Sequence, residues 1–477
     1  MGAVRETVTP SAARLTNSLR DVGYDFPAAI ADVVDNSLSA GASRVEVMIE
    51  FAGLDTTVAI ADDGSGMSAN GLVEAFRFGS RSAYEAGSLG RFGLGLKTAS
   101  LSQARSITVA SRRSSQSRVA IRRLDLDLIS EWDDWLITAP GRGDLTANRA
   151  RSLLDAGFST VVIWDRLDRV LPEQRPDGGW ARRRVETLIS RTREHLAAVF
   201  QRFLTDPRGH GDSVTLMVNG EKLTAWHPLA PDEPHTQHLS ELTFEVEVGE
   251  HAGVVRLERA VLPPRADFSS TEQFDRLSGP LRWNRQQGLY FYRANRLVQW
   301  GGWAGLRAID EHTKLARACL TFETDLDGLF NINVSKMRVS LPAQLRRLLE
   351  EPLSELCSTA SRSYRSAGQT TLRPTSSGSA TSVSSSRDAS KAGDSGCNSP
   401  PAKTGREDTK RVPEGHPDPL ATGPDHGAWR TEESTTVSLA LRAAALQTGD
   451  YEALRRISRV LAEIAPKVHT VLHLGDL

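Results

Sequence analysis

The stretch FPAAIADVVDNSLSAGA, residues 26–42, predicts a mostly apolar helix that carries a few polar side chains. A proline falls in its first turn and a glycine just past its end, the usual positions of these residues. Asp32, Asp35 and Asn36 are three and four residues apart, so they project from one helix face. Burying them among apolar neighbours is costly without a partner. A metal ion with phosphate is one such partner, and a solvated helix face is the alternative.

Two strands are predicted after this helix. RVEVMIE (residues 44–50) and TTVAIAD (residues 56–62) alternate apolar and polar residues, which predicts a hairpin packed on one face. The second strand leads into DDGSGM, in which Asp62 is followed by Gly64 and Gly66. A carboxylate at a strand end can accept a hydrogen bond from the exocyclic amine of adenine, and glycines leave room for a flat ring. An ordinary Asp-Gly turn is the alternative.

A third segment, LGRFGLGLKTAS (residues 89–100), is rich in glycine. Gly90, Gly93 and Gly95 precede Lys97 and a helix-compatible run. Glycine-rich turns before helices offer unpaired N–H groups to phosphate. The spacing fits neither the Walker frame nor the dinucleotide-binding frame, so a structural loop explains this segment equally well by itself.

The three segments together, in this order, resemble the nucleotide-binding boxes of the GHKL superfamily: DNA gyrase B subunits, heat-shock chaperones, histidine kinases and MutL. The phrases GLGLKTAS, STVVIWDRL and GLYFYRANRLVQWGGW are most similar to bacterial relatives of the MORC ATPases. The resemblance covers roughly residues 15–350. It implies an α/β (α+β) two-layer sandwich of Bergerat type, a mostly antiparallel mixed sheet backed by helices, with ATP and Mg²⁺ as cofactors.

The resemblance also implies roles for individual residues. Asn36 would hold Mg²⁺ through its amide oxygen, helped by Asp35, and Asp62 would read the adenine amino group. Thr160 would support Asp62 through its hydroxyl and a water. The segment GSRSAYEAGSLG would form a mobile ATP lid, and Lys97 with backbone N–H groups would embrace the phosphates. The further nucleotide-binding residues implied are Gly64, Gly66, Met67, Gly90, Arg91, Phe92, Gly93, Leu94, Gly95 and Leu96.

Two positions depart from the family pattern. The general base is usually Glu, four residues before the Mg²⁺-binding Asn; here that position is Asp32, which is one methylene shorter. A misplacement of about 1 Å can cost about 100-fold in rate, so we expect slow hydrolysis. The usual Asp at the end of the box is Ser39, which we expect to affect helix packing or capping more than chemistry.

The resemblance extends beyond the first domain. We expect an ATP-binding domain at residues 1–178 and an S5-like α/β transducer domain at residues 179–360. In NINVSKMRVSLP, Lys336 matches the transducer lysine that contacts the γ-phosphate and would serve catalysis, whereas an exposed strand-end lysine is the alternative. A disordered Ser/Thr/Pro-rich linker is predicted at residues 361–427 and a helical element at residues 428–477.

Composition limits the remaining possibilities. The 477 residues carry a formal net charge of −1, which provides no global attraction to nucleic acid or anionic membranes. Arginines at positions 182, 183, 184, 191 and 193 could contact nucleic-acid phosphate, and a solvated helix face explains them equally well. Three scattered cysteines and the lack of a long apolar run predict a soluble cytoplasmic protein without disulfides.

The leading hypothesis is therefore a Mg²⁺-dependent ATPase that closes its lid and forms a homodimer when ATP binds. It would act as a molecular clamp, with DNA or a nucleoprotein as one class of client. A nucleotide-gated clamp with little hydrolysis is the alternative. A histidine kinase fits less well, because its ATP domain normally ends the chain, whereas here the boxes begin near residue 30.

Overall fold

A computed structural model describes residues 10–21, 23–79, 95–171, 175–205, 213–248, 251–332 and 339–370. These residues form an α/β architecture with two mixed β-sheets, each with its own apolar core. The first sheet contains β1 (Arg44–Glu50), β2 (Thr57–Asp62), β3 (Ser106–Ser111), β4 (Ala120–Asp125), β5 (Thr160–Asp165), β6 (Thr215–Val218) and β7 (Glu221–Lys222). The second contains β8 (Gln237–Val248), β9 (His251–Val261), β10 (Gly288–Arg293), β11 (Arg296–Trp300) and β12 (Ala316–Phe322).

Eleven α-helices accompany the sheets in the described part of the chain. Those near the first sheet are α1 (Ala12–Arg20), α2 (Phe26–Ser39), α3 (Ala69–Phe76), α4 (Gly95–Leu101), α5 (Leu126–Trp132), α6 (Leu145–Asp155), α7 (Gly179–Val199) and α8 (Gln201–Leu204). The remaining ones are α9 (Thr271–Leu277), α10 (Arg282–Gln286) and α11 (Ala343–Thr370). No helix of the described residues is long and apolar enough to cross a membrane.

The first sheet has the strand order β4-β3-β5-β2-β1-β6-β7. Only the β1–β6 pair is parallel among its neighbours, so the sheet is mixed and mostly antiparallel, as predicted. Val47 lies opposite Ile60 in the β1–β2 hairpin, which places the alternating apolar residues of both strands on one face. Helices α1, α2, α3, α4, α5 and α7 contribute to the core on this face.

The opposite face of the first sheet is also partly covered. Helix α6 packs there against small and β-branched residues such as Ala59, Ala110 and Val161. Successive residues of a strand point to opposite faces of the sheet. The side chains that alternate with those of the main core therefore form a second apolar core, on the α6 side. The sheet therefore has a helix on the side that a two-layer sandwich leaves bare.

Helix α2 has the limits that the sequence predicts. Its N-terminus is capped by Asp25, whose side chain accepts a hydrogen bond from the Ala28 N–H at 2.9 Å. Gly41 follows the helix with a φ of 72°, a conformation that glycine adopts without strain. Eleven of the fourteen helical residues are buried, because α2 lies between the sheet and neighbouring helices.

The first core extends beyond residue 178. Strand β6 pairs in parallel with β1, and α7 packs against α2, so residues after this position complete the first sheet and its helical layer. The β6–β7 hairpin turns at Asn219 and Gly220, with φ values of 50° and 77°, as the Asn-Gly dipeptide predicts.

The second sheet has the order β11-β10-β12-β9-β8, with β10 and β12 parallel and the other neighbours antiparallel. Helix α11 packs against it and continues to Thr370, past the position at which a linker was predicted to begin. The segment LDGLFNINVSKMRVSLP (residues 326–342) is strand-like in sequence. Its described residues 327–331 form turns, in which Asp327 pairs with Arg293 and Asn331 is left-handed with a φ of 46°, and residues 333–338 lie outside the described part of the chain.

The start of β10 depends on glycine, and this provides a test of the second sheet. A Cβ at Gly288, whose φ is 116°, would lie 1.9 Å from the Gly302 carbonyl oxygen, whereas a Cβ at Gly302 meets nothing within 4 Å. We expect Gly288→Ala to lower the free energy of unfolding by about 2 kcal/mol more than Gly302→Ala, which carries only the positive-φ cost. Urea unfolding of both variants measures this, and equal losses would contradict the close approach.

Candidate functional site

The polar face of α2 is buried. Asp32 and Asp35 are each 1% exposed, whereas Asn36 on the next turn is exposed. The Tyr24 hydroxyl, from the segment before the helix, donates to Asp32 Oδ2 at 2.7 Å. The pKa of Tyr24 is raised by burial and, next, by the neighbouring Asp32 carboxylate. Tyr24 therefore stays protonated and fixes one oxygen of Asp32.

The cation beside the two carboxylates comes from the second sheet. Arg296, the first residue of β11, donates from Nε to Asp35 Oδ1 at 2.7 Å, and its Nη2 lies 3.6 Å from Asp32 Oδ1. Burial alone would lower the pKa of Arg296, but the Asp35 and Asp32 carboxylates raise it above its ordinary value. Arg296 was not among the predicted site residues, although it lies in the YRANRLVQW segment.

Asp62 lies at the end of β2, next to the same helix. Its Oδ2 accepts a hydrogen bond from Ser37 Oγ at 2.9 Å, and its Oδ1 accepts one from the Gly64 N–H at 3.0 Å. Burial raises the pKa of Asp62, and the hydrogen bonds from Ser37 and Gly64 counteract part of that rise. Ser37 was not among the predicted site residues; its place directly after Asn36 is the signal that could have found it.

The glycines after Asp62 lie where the chain passes close to other backbone. A Cβ at Gly66, whose φ is 61°, would lie 2.0 Å from the Arg112 carbonyl oxygen. A Cβ at Gly64 would lie 2.9 Å from the Ala40 carbonyl oxygen and 3.1 Å from Asp62 Oδ1. These contacts explain the glycines without a ligand, so their role in making room for a base stays a prediction.

Thr160 lies opposite Asp62 in the β2–β5 ladder. Its hydroxyl is 2.9 Å from Ser111 Oγ, which in turn accepts a hydrogen bond from the Met67 N–H at 2.8 Å. Ser111 thus links two predicted nucleotide-binding residues, Thr160 and Met67, beside the Asp62 strand end. The predicted support of Asp62 by Thr160 through a water stays a prediction.

Helix α4 begins against the acidic face of α2. A Cβ at Gly95 would lie 3.4 Å from Asp32 Oδ2, and Leu96 packs at the edge of the first core. Lys97 is 2% exposed, and its Nζ donates to the Ala75 and Arg77 carbonyl oxygens at 3.0 and 2.8 Å. In this arrangement the lysine holds the end of α3, and its contact with phosphate stays a prediction.

Several predicted residues fall outside the described part of the chain: Gly90, Arg91, Phe92, Gly93, Leu94 and Lys336, together with the predicted linker and C-terminal helices. The basic stretch of α7 is described and contacts the protein itself. Arg182 lies over the Phe51 ring, Arg184 donates to the Val170 carbonyl oxygen, and Arg193 pairs with a glutamate of β7. Contact of these arginines with nucleic acid stays a prediction.

The donor set near α2 fits Mg²⁺ bound together with phosphate. Among the described residues, no group of three or more His, Cys, Asp or Glu side chains is arranged to hold a metal ion. Mg²⁺ characteristically takes only one or two protein oxygens and completes its shell with phosphate and water. Asn36 donates its Nδ2 to the Asp32 carbonyl oxygen at 3.1 Å, which leaves the exposed side chain's amide oxygen to bind a cation.

The buried lysine predicts a dependence of stability on pH. Burial lowers the pKa of Lys97 to about 8, whereas in the unfolded chain it keeps its proton to about pH 10. Between these values the unfolded state binds more protons, so the free energy of unfolding rises with pH. We expect the free energy of unfolding of the wild type, minus that of Lys97→Met, to rise by about 2 kcal/mol from pH 8 to pH 10. Denaturant unfolding at both pH values measures it, and parallel pH profiles would contradict the buried charge.

A family model matches the part of the chain that contains most of the residues described above. Residues 24–150 match the family described as histidine kinase-, DNA gyrase B- and HSP90-like ATPase. The match includes α2, Asp62, the glycine-rich segment and Lys97. No curated protein gives a significant sequence match to the chain. Residues 24–150 therefore belong to a GHKL-type ATPase domain, of the class that binds and hydrolyses ATP.

Proposed function

We propose that this protein binds ATP with Mg²⁺ and slowly hydrolyses it to ADP and phosphate at a site made by α2, the end of β2 and the start of α4. The observation that carries the proposal is the buried Asp62 carboxylate, held by Ser37 of α2 and by the Gly64 N–H. A fixed acceptor at a strand end suits the exocyclic amine of adenine. The acidic face of the same helix lies beside it, as a nucleotide with bound cation requires.

Each residue has a distinct role in this proposal. Asp62 accepts a hydrogen bond from the adenine amine, and Thr160 supports it. Asn36 holds Mg²⁺ through its amide oxygen, with Asp35 helping to place it, and the metal when bound reduces the charge on the phosphates. Asp32 accepts the proton of the attacking water as that water attacks the γ-phosphorus and the bond to the ADP oxygen breaks. Lys97 and the backbone N–H groups of the glycine-rich segment bind the phosphates, and Lys336 contacts the γ-phosphate.

We further propose that ATP binding closes a lid, promotes homodimerisation and moves the second sheet, which lies within the predicted transducer segment, residues 179–360. The protein would then be a clamp similar to the bacterial MORC-like ATPases, with DNA or a nucleoprotein as client. The support is the sequence resemblance together with Arg296, which contacts α2 from the second sheet. A movement of that sheet would therefore displace the Arg296 guanidinium from the acidic face of α2.

A second candidate function is a nucleotide-gated clamp that hardly hydrolyses ATP. The state of Asp32 favours it, because the side chain is buried and one of its oxygens accepts a hydrogen bond from the Tyr24 hydroxyl. A carboxylate held in this way is less available to accept a proton than one that faces bound water.

Nucleotide binding tests the role of Asp62, with its chain neighbour as control. Asp62→Asn places an N–H₂ group where the adenine amine needs an acceptor, and we expect affinity for ATP to fall by about 10- to 100-fold. Asp63→Asn is the matched control, since Asp63 instead bonds Ser43 and the Arg44 N–H. Calorimetric titration of each variant with ATP in the presence of Mg²⁺ measures both affinities. Equal affinities in the two variants would exclude Asp62 from the binding site.

Single-turnover hydrolysis separates the two candidate functions. We expect Asp32→Asn to lose turnover while it keeps affinity for ATP, because an amide cannot accept the proton of the attacking water. Wild-type turnover that vanishes in this variant would establish an ATPase with Asp32 as its base. Tight binding without turnover in the wild type would instead favour the nucleotide-gated clamp.

A further inference from the structure

Arg296 connects two parts of the chain that are far apart in sequence. It belongs to β11 of the second sheet, yet its guanidinium is buried against Asp35 and Asp32 of α2 in the first. The hydrogen bond to Asp35 spans 261 residues of chain. Both carboxylates are almost fully buried, so their charges depend on what lies beside them.

The other ionisable groups packed around these carboxylates do not supply a cation in the described contacts. Tyr24 donates a neutral hydroxyl to Asp32. His195 on α7 has its pKa lowered to about 3 by burial first and by Arg296 next, so it is neutral. Lys97 on α4 directs its ammonium to two carbonyl oxygens at the end of α3. Within the described part of the chain, the positive charge that faces the acidic pair therefore comes from Arg296.

The hairpin that carries Arg296 is held on both sides of its turn. Ala294 and Asn295 form the turn with φ values of 45° and 69°. On the β10 side, Arg293 makes a buried two-point pair with Asp327 at 2.6 and 2.7 Å. Arg296 follows directly on the β11 side, and its Nη1 also donates to the Leu297 carbonyl oxygen at 3.4 Å. The placement of its guanidinium is therefore set by the second sheet.

We propose that Arg296 is a positioning residue through which the second sheet holds Asp35 and Asp32 in the geometry needed for ATP turnover. This inference rests on the proposed hydrolysis of ATP. Arg296 acts through the two carboxylates and takes no proton itself. The ATPase site is then incomplete without a side chain from outside the family-matched segment, residues 24–150.

The proposal predicts a separation between binding and turnover. Adenine recognition is assigned to Asp62, whose described partners are Ser37 and Gly64 and do not include Arg296. Loss of Arg296 should therefore leave nucleotide affinity nearly unchanged. Turnover should fall, because a base displaced by about 1 Å can lose about 100-fold in rate. A merely structural role would reduce the yield of folded protein, or it would weaken nucleotide affinity and turnover together.

The test compares full-length Arg296→Gln, Arg296→Lys and Arg259→Gln. Arg259 is a matched control: it is a buried arginine of the same sheet, and it pairs with Glu355 of α11 at 2.5 Å instead of with α2. We expect Arg296→Gln to lower kcat by about 100-fold with a Kd for AMP-PNP within about threefold of wild type. Arg296→Lys should recover part of kcat, because lysine restores the charge without the planar fork. Arg259→Gln should keep wild-type kcat.

A second measurement needs no nucleotide and keeps the proposal testable if a variant is too unstable for kinetic assays. Urea unfolding of Arg296→Gln, Asp35→Asn and the double variant forms a cycle, and direct pairing predicts that the double variant loses less than the sum of the single ones. Additive losses, or an Arg296→Gln protein with wild-type kcat, would overturn the proposal. A wild-type protein that binds AMP-PNP but does not hydrolyse ATP would refute the proposed hydrolysis instead, and the Arg296 inference with it.

Discussion

The burial of polar groups on α2 is the constraint on which the rest of the site depends. The helix is enclosed over most of its length, yet it carries Asp32, Asp35 and Ser37 among its buried residues. Each of these groups must find a partner, because an unpaired buried charge or hydroxyl is costly. Their partners within the described part of the chain include Tyr24 before the helix, Arg296 of the second sheet, and Asp62 of β2. The helix therefore joins three separate parts of the chain.

This arrangement divides the site into two ends with different supports. Asp62 is held by Ser37 and by the turn that follows β2, all within the first sheet and its helices. Asp32 and Asp35 depend on Arg296, which the second sheet supplies. Recognition of a nucleobase and reaction at a phosphate would thus respond to different parts of the molecule. Such a division suits a protein that couples nucleotide state to movement of a neighbouring domain.

Much of the local structure could be predicted from sequence, and the exceptions have physical causes. Helix α2, the β1–β2 hairpin and the Asn219-Gly220 turn follow from periodicity and from the preferences of glycine, proline and asparagine. The strand-like segment LDGLFNINVSKMRVSLP forms turns at residues 327–331, where Asp327 pairs with Arg293, and its residues 333–338 lie outside the described part of the chain. The layer made by α6 was missed, because a strand pattern does not reveal what covers its second face.

The sequence by itself determined the ATPase family of residues 24–150 and most of the residues that stand together on α2 and at the end of β2, because spacing along a helix or strand dictates which side chains share a face. Only the tertiary structure decided what those side chains contact. The pairing of Asp35 with Arg296 and the position of Lys97 beneath the end of α3 depend on packing between distant segments. No local pattern specifies such contacts, because they arise when both sheets and their helices bury their apolar faces together.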